Sequence, residues 1–284
     1  MSEPYKILVA GGDMRQIYCA LQLAERYDVS VTGFDSSYTK KLKNAVLSEN
    51  KYDCAVFPVI PVSDDGFLST PCFSDKIRLS DIVDSVRKGG LVFSGLDGEK
   101  LSDKFADCEI VNYMNSEELN IRNAVPTAEG AVQTALEELS VTLSGLKVLI
   151  VGMGRTGTAL TEILKGFGAD ITVAVHSHKG TANALLHGVK SIYTKDIGND
   201  YGLVFNTAPS MVFDRYMLSR FDSSTLFIDL ASKPGGIDFN SAIELGIKVI
   251  WALGLPGKTA PVTSGKIIAE TIDEIITERR KQYV

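Results

Sequence analysis

The feature that most constrains this chain is the apolar run Lys147–Val151 (KVLIV), which ends directly in Gly152-Met153-Gly154-Arg155-Thr156-Gly157 and then a helical pattern reaching Phe167. A strand, a glycine-spaced turn and a helix in immediate succession aim the free amides of a helix start at a phosphate group. Gly152 permits the tight turn, Gly154 lets the backbone approach a pyrophosphate, and Gly157 lets helix and strand pack closely. A lone pattern of this kind also occurs in turns that hold no ligand. Here the strand before it, the helix after it and a second apolar run at 171–175 all agree with dinucleotide binding.

Around this unit the apolar runs 147–151, 171–175, 190–193, 203–206, 226–230 and 248–253 alternate with helical stretches. Six such runs suit a doubly wound sheet of Rossmann type. The first half repeats the rhythm, with runs at 6–11, 30–34, 54–57, 91–94 and 108–113 and helical patterns at 13–27, 38–50 and 80–88. Short apolar runs alternating with helices indicate buried parallel strands. Residues 58–75 contain Pro58, Pro61, Gly66 and Pro71 and read as a long loop, of the kind that often carries function. The expected fold class is therefore α/β, with two doubly wound parallel-sheet domains. Residues 1–122 form the substrate-side domain and 123–284 the Rossmann-type dinucleotide-binding domain. A linker helix is expected at 126–139, opening at Pro126-Thr127-Ala128-Glu129 with its acid in the first turn. A final helix is expected at 264–281. Its apolar face, which includes Ile267, Ile268, Ile272, Ile275 and Ile276, needs cover from the first domain or from a second copy in a homo-oligomer.

A length of 284 residues accommodates two medium domains, and 45% hydrophobic with 23% charged residues is ordinary globular composition. The net charge of −6 with interspersed signs argues against a nucleic-acid partner. Cys19, Cys54, Cys72 and Cys108 form no CxxC pair, and the histidines, His176, His178 and His187, lie in the other half. No metal site is expected, nor a disulfide framework. No apolar run approaches the ~20 residues of a membrane helix, and the N-terminus has no leader pattern. The expected location is the cytoplasm.

Rossmann domains that bind NAD place a carboxylate at the end of the second strand, about 20 residues past the glycine loop, to hold the ribose hydroxyls. This chain has His176, Ser177, His178 and Lys179 there. With no acid to repel a ribose phosphate, and with a hydroxyl and basic groups to bind one, the reading is NADP over NAD. The alternative is a solvated loop with NAD held by backbone groups. Three further loops follow strands of the same domain and belong on the ligand edge of the sheet. They carry Thr207, Ala208 and Pro209, then Lys233, then Gly254 and Lys258. His187 reads as structural or exposed, and Trp251 as a core residue.

Several segments resemble the dipicolinate synthase A-subunit family. They are Gly11-Gly12-Asp13-Met14-Arg15-Gln16, Asn123-Ala124-Val125-Pro126-Thr127-Ala128-Glu129-Gly130-Ala131, Asp229-Leu230-Ala231-Ser232-Lys233-Pro234-Gly235-Gly236, and Gly254-Leu255-Pro256-Gly257-Lys258-Thr259-Ala260-Pro261. The resemblance runs over nearly the whole chain. It implies a dehydrogenase of spore-forming bacteria that oxidises dihydrodipicolinate to dipicolinate, with a nicotinamide dinucleotide and a flavoprotein-like second subunit. A dicarboxylate substrate needs cationic or N–H partners. Arg15, at the start of a helix, is the expected carboxylate clamp, helped by Thr127 and Ser94; a surface arginine is the alternative. Lys233 and Lys258 are further cationic candidates, and Glu129 is the candidate base, unless it merely complements the helix dipole. Two other readings stand beside this one. One is a dehydrogenase of the shikimate or methylene-tetrahydrofolate type, although the Lys-Asp pair of shikimate dehydrogenase is not found in the first domain. The other is a non-catalytic nucleotide-binding subunit of a complex.

Overall fold

Strands buried on both faces need apolar side chains in both directions, and the two central runs of this chain provide them. In the computed structural model, which describes residues 4–49, 51–95 and 101–282, Ile7 and Val9 of β1 (Lys6–Ala10) enter one core cluster while Leu8 and Ala10 enter another. Val148 and Ile150 of β7 (Lys147–Val151) separate from Leu149 and Val151 in the same way. Contacts divide the chain into two units, Met1–Arg122 with Ala260–Val284, and Asn123–Thr259.

The first unit contains β1, β2 (Asp28–Thr32), β3 (Lys43–Asn44), β4 (Tyr52–Val56), β5 (Val86–Ser94) and β6 (Glu109–Asn112). They form one sheet in the order β3-β2-β1-β4-β5-β6, every pairing parallel. Helix α1 (Met14–Leu23) follows β1, and Asp13 caps it by accepting from the Arg15 amide at 2.9 Å. Two sequence expectations fail here. The helix expected at 38–50 is not formed by its described residues, 38–49; after a run of turns, Lys43 and Asn44 pair with Ser30 and Val31 as an edge strand. The apolar residues of this segment form no single stripe to dock a helix: Tyr38, Val46 and Leu47 are exposed, while Leu42 packs against the cluster of Ile7 and Ala45 against that of Leu8. The expected helix at 80–88 is cut to α2 (Ser80–Val83), because Val86 already pairs with Tyr52 in the sheet.

Helix α3 (Glu117–Glu138) begins well before the expected start at Pro126, which lies inside it. Ser116 sets the beginning: its hydroxyl accepts from the Leu119 amide at 3.2 Å, and Glu117 and Glu118 complement the helix dipole.

The second unit repeats the plan of the first. Its strands are β7, β8 (Asp170–Val175), β9 (Lys190–Tyr193), β10 (Leu203–Asn206), β11 (Leu226–Asp229) and β12 (Val249–Trp251). Their order, β12-β11-β10-β7-β8-β9, is the same winding read from the other edge, and all pairings are parallel. Its helices are α4 (Arg155–Gly166), α5 (His178–Leu186), α6 (Arg215–Leu218), α7 (Phe239–Glu244) and α8 (Leu255–Thr259). The last of these was expected as plain loop.

The chain ends in α9 (Pro261–Gln282), which packs on α1 inside the first unit. Ile267, Ile268, Ala269, Ile272 and Ile276 enter the cluster of Ile7, Val9, Ile17 and Cys19. At the crossing, a β-carbon on Gly265 would collide with the Arg15 carbonyl and approach Tyr18 Cβ to 2.7 Å. No helix among the described residues is long and apolar enough to cross a membrane.

Candidate functional site

The carboxyl ends of parallel strands leave unpaired backbone and short turns at one edge, where ligands of such sheets bind at the point of reversal in strand order. In the second sheet that point lies between β7 and β10. Gly152 leaves β7 at φ +96°, and a β-carbon there would stand 2.5 Å from Thr207 Oγ1. Thr207 follows β10 and is tied to β7 twice, its amide and hydroxyl donating to the Val151 carbonyl at 3.0 and 2.7 Å. A β-carbon on Gly157 would collide with the Gly152 carbonyl, so glycine there permits the close seating of α4 on the turn. Gly154 differs from both. Nothing lies within 4 Å of where its β-carbon would be, and as the cap of α4 it offers no side-chain bond. An open, side-chain-free helix start is what a pyrophosphate requires.

The surrounding residues fit the rest of such a cofactor. Met153 is buried, with Thr161 Oγ1 3.8 Å from its sulfur, while Arg155 is exposed and Thr156 half-buried. A cavity of about 340 Å³ is lined by Gly152, His176, Thr194, Lys195, Ala208 and Met211, among others. Pro209 is exposed beside it. Ser177 caps α5, its hydroxyl accepting from the Gly180 amide at 3.3 Å, so the segment is a helix from His178 onward and not the solvated loop of the alternative reading. Lys179 stands in its first turn, and His178 meets the Tyr193 hydroxyl at 3.2 Å. Lys195 was not singled out from sequence. The signal was its place just past β9, on the same sheet edge as His176.

Sequence reasoning also gave no role to the two buried polar residues that shape the neighbouring loop. Asp229 is fully buried at the end of β11. It accepts from Asn206 Nδ2 at 2.8 Å, from the Ala231 amide at 3.0 Å and from the Gly236 amide at 2.9 Å. Asn206 in turn bonds the backbone of Ala208. This network sets the turn that carries Lys233, which is exposed with its Nζ 6.0 Å from the centre of the Trp251 ring. Trp251 stacks on Phe239 and donates to the Ala231 carbonyl at 2.9 Å. Gly254, at φ +68°, turns the chain into α8, where Lys258 is exposed. Thr127 and Glu129 lie within α3 rather than at a helix start. Thr127 Oγ1 donates to the Asn123 carbonyl at 2.8 Å, and Glu129 is exposed.

The first sheet has its own reversal, between β1 and β4. Its glycine turn is covered: Gly12 donates to the Ser69 carbonyl at 2.7 Å, and a β-carbon on Gly11 would stand 2.8 Å from that same oxygen. The long loop after β4 therefore occupies the space that stays open in the second unit. Arg15 is paired with Asp13, Nε lying 3.0 and 3.1 Å from the two carboxylate oxygens and Nη2 2.8 Å from one. Partial burial would raise the Asp13 pKa, but the guanidinium's hydrogen bonds and charge outweigh it and hold the carboxyl below its ordinary range. Ser94 is buried at the end of β5. Tyr113, also buried, donates to the Phe57 carbonyl at 3.2 Å, and burial pushes its hydroxyl pKa up.

Comparison with known proteins gives two family matches along the chain. Residues 6–114 match the family model of the N-terminal domain of the dipicolinate synthase A-subunit. Residues 120–231 match that of the D-isomer specific 2-hydroxyacid dehydrogenase NAD binding domain. The chain is 31% identical to the dipicolinate synthase A-subunit of Bacillus subtilis (strain 168), over 96% of each sequence. It superposes on the crystal structure of that B. subtilis protein with a TM-score of 0.88 at 30% identity, covering 99% of both chains. The A-subunit structure from Bacillus halodurans gives a TM-score of 0.88 at 27% identity, covering 95% of this chain and 97% of the other.

Proposed function

The chain belongs to the dipicolinate synthase A-subunit family, and from that premise we propose that it oxidises dihydrodipicolinate to dipicolinate during sporulation, with NADP as hydride acceptor. The observation that carries the reading is the open start of α4 at Gly154, beside a cavity with His176 and Lys195 on its wall. No carboxylate is among the residues lining that cavity, so a ribose phosphate meets cationic and polar groups instead of a repelling charge.

The bound cofactor supplies the acceptor for the hydride, and the substrate also gives up a proton as its ring becomes aromatic. What falls to the chain is to hold a dianion in place and to keep water from the reacting carbon. Arg15 is the proposed clamp. Asp13 occupies its Nε–Nη2 edge, which leaves the end-on edge of Nη1 and Nη2 for a substrate carboxylate. Thr127 is proposed as a helper, Lys233 as a further cation and Glu129 as the base. A flavoprotein-like second subunit is the proposed partner.

The experiment mixes purified chain, NADP and enzymatically generated dihydrodipicolinate and follows pyridine absorbance. Product from this chain alone is the expected result, with NADP used more efficiently than NAD. Formation of product only after a second subunit is added would move the chain to the role of nucleotide-binding subunit. Failure of the folded chain to take up either dinucleotide in calorimetry would remove the oxidoreductase reading.

A further inference from the structure

Helix α1 opens at the reversal point of the first sheet, and one of its side chains has no structural explanation. Gln16 is 2% exposed, yet neither Nε2 nor Oε1 has a hydrogen-bond partner. Among the described residues, no other buried side-chain nitrogen or oxygen is left in that condition. The side chain is not loosely placed. A β-carbon on Gly12 (φ +102°) would collide with Gln16 Cγ and stand 3.1 Å from both Gln16 Cβ and Pro58 Cβ. The stem of Gln16 thus lies over the turn after β1, beside the first residues of the loop after β4.

Buried amides in folded proteins are nearly always paired, because leaving them unpaired forfeits their hydration with no return. A leucine or methionine would fill the same volume without that cost, so the position calls for a partner that arrives from outside the chain. The surroundings indicate its charge. In a helix every Cα–Cβ bond leans toward the N-terminus, so Arg15 and Gln16 both lean toward the opening of α1, about 100° apart around its axis. The helix start and the guanidinium already hold the Asp13 carboxylate, and the Nη1–Nη2 edge of Arg15 is what is left for a second anion.

We infer that the Gln16 carboxamide is a substrate-binding group of the first unit, its NH₂ end donating to a carboxylate oxygen of a small ring dicarboxylate. The inference rests on the dicarboxylate reading proposed above, and it adds a neutral group that reads shape and hydrogen-bonding pattern where Arg15 reads charge.

The test uses the full chain with dipicolinate, which carries the same two carboxylates as the substrate, and with NADP as a separate probe. Gln16→Leu should weaken dipicolinate binding in calorimetry by about tenfold or more, the worth of a hydrogen bond to a charged group. The NADP affinity should stay unchanged, and the melting temperature should hold or rise. Gln16→Met, nearer in shape, guards against a packing defect and should behave alike. Unchanged dipicolinate affinity in both variants, against normal binding by the wild type, would mean that Gln16 meets only a buried water and would overturn the inference alone. A wild-type chain that binds NADP but no dipicolinate would take down the substrate reading together with the inference.

Discussion

Asp229 shows how one side chain organises a stretch of loop. Its two oxygens take three donors, two of them backbone amides of Ala231 and Gly236. Replacement by alanine strands those amides and Asn206 Nδ2 in a buried setting. Each stranded group carries a penalty of about 1–3 kcal/mol. Asp229→Ala should therefore destabilise the protein by about 3 kcal/mol or more in denaturant unfolding, and a loss under about 1 kcal/mol would mean that the network is dispensable. Arg15 poses a different question, since it is already held by Asp13. Arg15→Ala should raise the KM for the dicarboxylate by about tenfold or more while leaving dinucleotide affinity intact; equal losses in both would count against the clamp. The same variant leaves burial as the dominant influence on Asp13, so its pKa should climb above the ordinary 3.8 in a carboxylate NMR titration. In the wild type that pKa is lowered, so the pair supports the fold fully above about pH 3.8 and stops doing so as the pH falls through the lower folded value.

At the level of elements, two glycine turns at equivalent places in the same winding serve different ends. Gly154 opens α4 to solvent, whereas Gly12 is closed by the backbone of Ser69. The identical winding of both sheets means that topology alone does not distinguish the two turns; what fills each one does. Helix α9 illustrates the same dependence on packing. Its isoleucines were legible as an apolar face, but only the fold shows that the face lies on α1. Ile272 is fully buried there. Ile272→Ala should cost about 2–5 kcal/mol, the usual range for an aliphatic truncation in a packed core. A change below about 1 kcal/mol in equilibrium unfolding would place the helix outside the core of the first unit.

On the scale of the whole molecule, each unit has its own sheet and its own pair of core clusters, one on either face. A domain with a closed core can fold alone. A fragment from Ser116, which retains the cap of α3, to Thr259 should therefore fold and bind the dinucleotide. At a ligand concentration about 100 times Kd, binding should add about 2.7 kcal/mol to its stability. A folded fragment that fails to bind would show that the cofactor needs residues of the first unit.

Much of this protein is written locally. Buried parallel strands must be apolar in both directions, and a strand that turns this tightly into a helix needs glycine at set intervals, so the two sheets and the geometry of the Gly152–Gly157 turn were readable from residue order alone. The early start of α3 was also local in origin, but Pro126 masked the cap at Ser116. Other features depended on partners distant in the chain. Residues 43–44 became a strand because β2 offered an open edge to a segment with no apolar stripe. Asp229, Asn206 and Gln16 look like ordinary polar residues until folding removes water from around them. Hydrogen-bond satisfaction is a property of the buried state, and no spacing along the chain records which polar groups will be buried or what will meet them there.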